Sequence, residues 1–175
     1  MHSLIDAAAA PGFDDPLEML LACHGRIEAQ CDTLHRLVAH LTSHGKDAQA
    51  HQAARAILRY FDTAGRHHHE DEERDLFPQL LATRNQTACT LVARLLEEHQ
   101  TIEAKWQKFR PHVSSIADDR SDRLDAQIAK RFISLYTQHI ALENAELLPL
   151  ACSLLNAKQL RLLGHSMAAR RGVSI

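Results

Sequence analysis

Several features are missing from this chain, and each absence closes off a class of protein. Runs of alternating β-branched residues are absent, so an all-α fold is expected. No apolar stretch approaches the roughly 20 residues needed to span a bilayer. Residues 1–10 lack a basic start and carry Asp6 inside a short apolar run, which does not make a secretory signal. A formal net charge of −2 leaves no basic face, so nucleic acid is excluded as a partner. The four cysteines, Cys23, Cys31, Cys89 and Cys152, form no CxxC or zinc-knuckle spacing. They are expected to be reduced thiols, and the protein to be cytoplasmic. With 175 residues there is one domain with a real core.

What the chain does have is histidine, thirteen in all. Four of them carry a glutamate four residues later: His24/Glu28, His68/Glu72, His99/Glu103 and His139/Glu143. That spacing is a little over one helical turn, so each His and its Glu share a face.

Each of these histidines also lies in the apolar seam of a different helix. The first helix is expected to start at Asp15-Pro16 and stop near Gly45, with Leu20, His24, Ile27, Cys31 and Leu34 in its seam. The second starts near Asp47, runs through Ile57, Phe61, Ala64, His68 and Glu72, and is ended or kinked by Pro78. Val92, Leu95, His99, Ile102, Trp106 and Phe109 form the third, closed by Pro111. The fourth holds Leu124, Ile128, Phe132, Leu135, His139, Leu142 and Glu146, with Pro149 beyond. Short connections favour an up-down-up-down four-helix bundle over residues 16–155. An N-terminal extension covers 1–15, and a short C-terminal helix is expected within 156–175.

The two halves echo each other. His24-x-x-Ile27-Glu28 matches His99-x-x-Ile102-Glu103, and His68-x3-Glu72-x4-Phe77-Pro78 matches His139-x3-Glu143-x4-Leu148-Pro149. Two hairpins related by a pseudo-twofold would bring four His and at least two Glu to one point. Within His67-His68-His69, only His68 continues the seam and stands ten residues before a proline, as His139 does. His67 and His69 are then expected to be solvated flanks, and most of Glu70, Asp71, Glu73 and Asp75 a solvated acidic face.

One histidine in an apolar seam is usually a core residue bonded to a neighbour. Four, one per helix, point instead to metal, because burying four imidazoles and two carboxylates unpaired costs several kcal/mol. The expected ligands are His24, His68, Glu72, His99, His139 and Glu143. Nitrogen and oxygen donors without thiolate suit iron, manganese or zinc. If Glu72 and Glu143 bridge two metals, an oxo or hydroxo bridge leaves octahedral iron one position for O2, NO, peroxide or an anion. Glu28 and Glu103 are additional or outer candidates, and Tyr136, three residues before His139, could donate a hydrogen bond near the site. Glu98 is expected to be exposed.

The segments His68-x3-Glu72-Glu73-x3-Phe77-Pro78, Glu98-His99 and His139-Ile140-x-Leu142-Glu143-Asn144-x3-Leu148-Pro149, with His24, resemble the hemerythrin-like (HHE cation-binding) family. The resemblance implies a non-haem di-iron centre in a four-helix bundle. Oxygen-carrying members use five histidines, with a His-x3-His pair on the third helix and an aspartate five residues after the last histidine. Here those places differ, and the chain is closer to the four-His, two-Glu di-iron members linked to iron–sulfur cluster repair and nitrosative stress. Such members often carry paired cysteines before the bundle, and residues 1–15 have none. A fifth ligand would have to come from His40, His44 or His51, with His44 preferred. The expected function is to bind, sense or react with O2, NO or peroxide in stress or iron handling, as a monomer or homodimer. An O2 or iron carrier without turnover is the alternative, and a regulatory module with a structural metal a third.

Overall fold

In the computed structural model, residues 12–174 are described, so most of the expected N-terminal extension lies outside the described residues. Helix α1 (Pro16–His44) begins where Asp15 accepts the Glu18 N–H at 3.3 Å. It ends at Gly45, whose φ of 74° is the left-handed conformation that glycine adopts without strain. Asp47 caps α2 (Ala48–Asp62) through the Ala50 N–H at 2.9 Å. After a break at Thr63 the same arm continues as α3 (Ala64–Asp71), a π-helical turn (Glu72–Leu76) and α4 (Phe77–Ala82). Asn85 caps α5 (Gln86–Ala117), and Asp125 caps α6 (Ala126–Leu142). A second π-helical turn (Glu143–Leu147) leads into α7 (Leu148–Leu154). The last helix, α8 (Ala157–Arg170), starts with a capping box between Asn156 and Gln159.

Both α1 and α5 pack against α2 and α6, so each arm neighbours those before and after it in sequence. That is the up-down-up-down arrangement, and the all-α expectation holds. Helix α8 lies over α1, α3 and the first π turn. Gly164 permits this closure, because a Cβ there would collide with the Phe13 carbonyl.

Several seam details differ from expectation; Ile128, in the first turn of α6, is 37% exposed. Pro111 does not close the third helix, which runs on to Ala117. Its lost hydrogen bond costs about 3 kcal/mol, but Val113, Ile116 and Ala117 beyond it are buried, and each large apolar side chain returns about 1.5–3 kcal/mol. Beside it, Arg110 and Trp106 both bond Asp62 of α2. The break at Thr63 turns Ala64 outward and Gly65 inward. The second π turn shifts the register again, so Leu147 is buried where Glu146 was expected.

The interior holds two apolar clusters. One contains Ile27, Leu34, Ile57, Phe61, Trp106, Phe109 and Phe132, and the other Leu20, Leu76, Phe77, Leu95, Leu147 and Met167. On α1 His24 falls between Leu20 of one and Ile27 of the other; on α5 His99 falls between Leu95 and Ile102. The polar layer thus interrupts a core that is otherwise apolar.

Candidate metal centre

All six expected ligands converge in that layer, and each is at most 2% exposed. His24 comes from α1, His68 from α3, His99 from α5 and His139 from α6. Glu72 and Glu143 are the first residues of the two π turns, which the Phe77 N–H to Glu72 C=O and Leu148 N–H to Glu143 C=O bonds close. A proline follows each closing residue. Proline cannot bond the carbonyl four residues back and crowds it, which favours a widened turn just ahead of it. Such turns recur at functional sites.

Around Glu143, His139 Nε2 lies 3.0 Å from Oε1 and His24 Nε2 3.2 Å from Oε2. Around Glu72, His99 Nε2 lies 3.3 Å and His68 Nε2 3.7 Å from Oε2. None of these contacts has hydrogen-bond geometry, so four Nε2 atoms and four carboxylate oxygens are buried without a partner. Each such group costs about 1–3 kcal/mol. Two overlapping sets bring their donor atoms within 4.8 Å of one another: His24, His68, Glu72 and Glu143, and Glu72, His99, His139 and Glu143. Adjacent ligands held about 2.1 Å from one ion stand about 3 Å apart. The residues therefore fit bound metal.

The far sides of the rings are tied down. His99 Nδ1–H donates to Glu73 at 2.8 Å, His139 Nδ1–H to Glu98 at 2.8 Å, and His24 Nδ1–H to Asn144 at 2.6 Å. These bonds aim each Nε2 inward, where a metal ligand must stand. Without a cation, burial and the charge of Glu143 push the Glu72 carboxyl up to about 7. Burial also works on Glu143, but the nearby His139, His24 and His99 rings outweigh it and hold that carboxyl well below its usual range. Burial lowers His99, yet Glu143, Glu72 and Glu73 together raise it to about 11.

The additional candidates scatter. Glu28 and Glu103 are exposed, and Glu103 accepts from Gln107 at 2.7 Å. His44 is a correction: it ends α1 stacked on His40, twenty residues and so about 30 Å of helix from His24. His40 and His51 pair with Asp47 and Asp119. The nearest further imidazole is His69, expected to be solvated but half-buried, its ring stacked 4.0 Å from His99. Tyr136 is buried, with its hydroxyl 3.4 Å from His69 Nε2. His69, Arg66, Glu73 and Glu103 border a depression of about 230 Å³ that reaches His99 from the surface.

Sequence reasoning missed the outer partners. Glu73 and Glu98, expected at the solvated surface, hold the His99 and His139 rings, and Asp71 is fully buried against Arg170 and Arg171. The available signal was position: Glu73 and Asn144 each follow a carboxylate of the cluster.

A four-helix bundle with two histidine–carboxylate sets sharing both carboxylates defines a metal-binding bundle. The hemerythrin HHE cation binding domain matches residues 15–151, and the chain belongs to that family. It is also similar to an uncharacterized protein of Haemophilus influenzae, 34% identical over 161 residues that span 92% of each chain.

Proposed function

We propose that this is a non-haem di-iron protein that binds, senses or reacts with small diatomic ligands or oxidants such as O2, NO or peroxide. The setting is oxidative or nitrosative stress, or iron handling. The observation that carries the reading is the buried set of four unpartnered Nε2 atoms and four unpartnered carboxylate oxygens, arranged as two sites with common carboxylates. In this reading His24, His68, Glu72 and Glu143 would hold one iron, and Glu72, His99, His139 and Glu143 the other. When bound, the metal pair supplies Lewis-acid and one-electron redox chemistry.

The chain's own contribution is to orient and to exclude. Outer hydrogen bonds fix three of the four rings, so little reorganisation accompanies binding. Leu20, Phe77, Leu95 and Ile102 wall the layer and keep water out. Glu72, with its raised proton affinity, gives up its proton when a cation arrives. The depression beside His69 is wide enough for a diatomic molecule to approach His99. A carrier without turnover is the second reading, in which the His69 nitrogen beside His99 and His139 would have to turn toward the cluster. Manganese or zinc would suit the same donors.

Elemental analysis of protein grown with ample iron tests the reading. About two irons per chain are expected, with most lost in His68→Ala and retained in His67→Ala. Equal loss in both variants, or zinc alone in the wild type, would overturn it.

A further inference from the structure

The internal repeat pairs residues by position: His24 with His99, His68 with His139, and Glu72 with Glu143. The groups facing inward are therefore the same in both halves. Their neighbours are not. Glu73 follows Glu72 and accepts from His99 Nδ1–H at 2.8 Å, whereas Asn144 follows Glu143 and accepts from His24 Nδ1–H at 2.6 Å. Glu98 precedes His99 and accepts from His139 Nδ1–H at 2.8 Å. Cys23 precedes His24 at the matching place, and its sulfur instead accepts from the Arg26 guanidinium at 3.0 Å. No group among the described residues accepts from His68 Nδ1, which is buried.

Both imidazoles of one set thus donate to carboxylates. Those of the other donate to a neutral amide or to no protein group. A carboxylate draws the Nδ1 proton outward and makes Nε2 a more basic donor to metal. The bridging carboxylates are common to both sets and cancel in the comparison. Arg94, which bonds Glu98 at 2.8 Å, offsets part of its charge, but that guanidinium is mostly exposed and screened.

Resting on the binuclear reading above, we infer that the two metal positions are unequal. The position framed by His99 and His139 fills first and binds more tightly; the one framed by His24 and His68 is the looser. Outer partners of this kind change metal affinity by about 10–100-fold.

The test is anaerobic titration of the metal-free full chain with Co2+, followed by its visible absorption. Two steps of unequal affinity are expected. Charge repulsion between ions could split the steps even in a symmetric site, so the steps must be assigned. His24→Ala should keep the tight step with its spectrum unchanged and lose the weak one, and His99→Ala should lose the tight step. Glu73→Gln with Glu98→Gln keeps an acceptor at each ring but removes the charge, and should weaken the tight step about 10-fold or more. The reciprocal Asn144→Asp should strengthen the weak step, which keeps the test open if the double variant folds poorly. Loss of the tight step in His24→Ala rather than His99→Ala would overturn the order. Two equivalents bound in one step would overturn the inequality and leave the binuclear reading standing. Saturation at one equivalent would overturn the binuclear reading, and this inference with it.

Discussion

The two helical hairpins agree in what they turn inward and disagree in what they place beside it. Asp71 of the first stands where the second has Leu142, and His69 where the second has Ile140. The fully buried Asp71 is clamped by α8: Arg171 Nη2 reaches Oδ2 at 2.6 Å, Arg170 bonds the same carboxylate, and Arg170 Nη2 reaches Asp75 at 2.6 Å. Leu142 is braced by apolar packing alone. A chain with one C-terminal helix can brace one half with it and not the other. Ligand geometry holds the centre of a repeat alike, while whatever packs outside decides its surroundings.

Breaking the clamp should give the largest effect. Arg170→Ala with Arg171→Ala strands a buried carboxylate, and urea unfolding should show a loss of about 3–5 kcal/mol. Imposing the second half's solution, Asp71→Leu with Arg170→Met and Arg171→Met, should bring stability back to within about 1 kcal/mol of wild type. If the apolar triple variant is no more stable than the alanine pair, the ionic brace is not what distinguishes the halves.

The two buried glutamates, Glu72 and Glu143, matched in position, are opposed in proton affinity. Without metal, Glu72 keeps its proton to about 7 against the usual 4.5, and His99 keeps its proton to about 11 against 6.5. Both bind more protons folded than unfolded in those windows. The metal-free bundle therefore loses stability as pH rises, through Glu72 between about 4.5 and 7 and through His99 from about 6.5 upward. Glu143, held low, has the opposite sign below its usual 4.5, and His68 and His69, kept neutral chiefly by burial, have it below about 6.5. Metal replaces the protons, so its stabilisation grows with pH and reaches about 2.7 kcal/mol at a hundredfold excess over Kd. Melting curves at about pH 6 and pH 8.5 should diverge between metal-free and loaded protein; a metal-free Tm that rises with pH would contradict the assignment.

The bundle and its inward residues were legible because helical periodicity records burial directly, and His24, His68, His99 and His139 sit where leucines would. Less legible was anything set by a local change of period. The break at Thr63 and the two π turns move the buried face by a residue, which exchanged Ala64 for Gly65 and Glu146 for Leu147. Pro111 misled because a local breaker rule yields to the burial of Val113 and Ile116 beyond it. The acidic run after His69 looked solvated because its partners, Arg170 and Arg171, lie about a hundred residues away and carry no local signal.

His69 against Ile140 should give the smallest effect. The His69 and His99 rings lie 4.0 Å apart and only 13° from parallel. Lone pairs in nearly parallel planes run side by side and do not converge on one ion, so His69 shields His99 without sharing its metal. His69→Ile, which copies the second half and nearly conserves volume, should leave the metal per chain unchanged. Its cost should be about 1 kcal/mol, arising mainly from the buried Tyr136 hydroxyl that loses its neighbour. Elemental analysis with urea unfolding checks both. Loss of one metal in this variant would make His69 a ligand, giving the His99–His139 position a third nitrogen and the two halves a difference at their very centre.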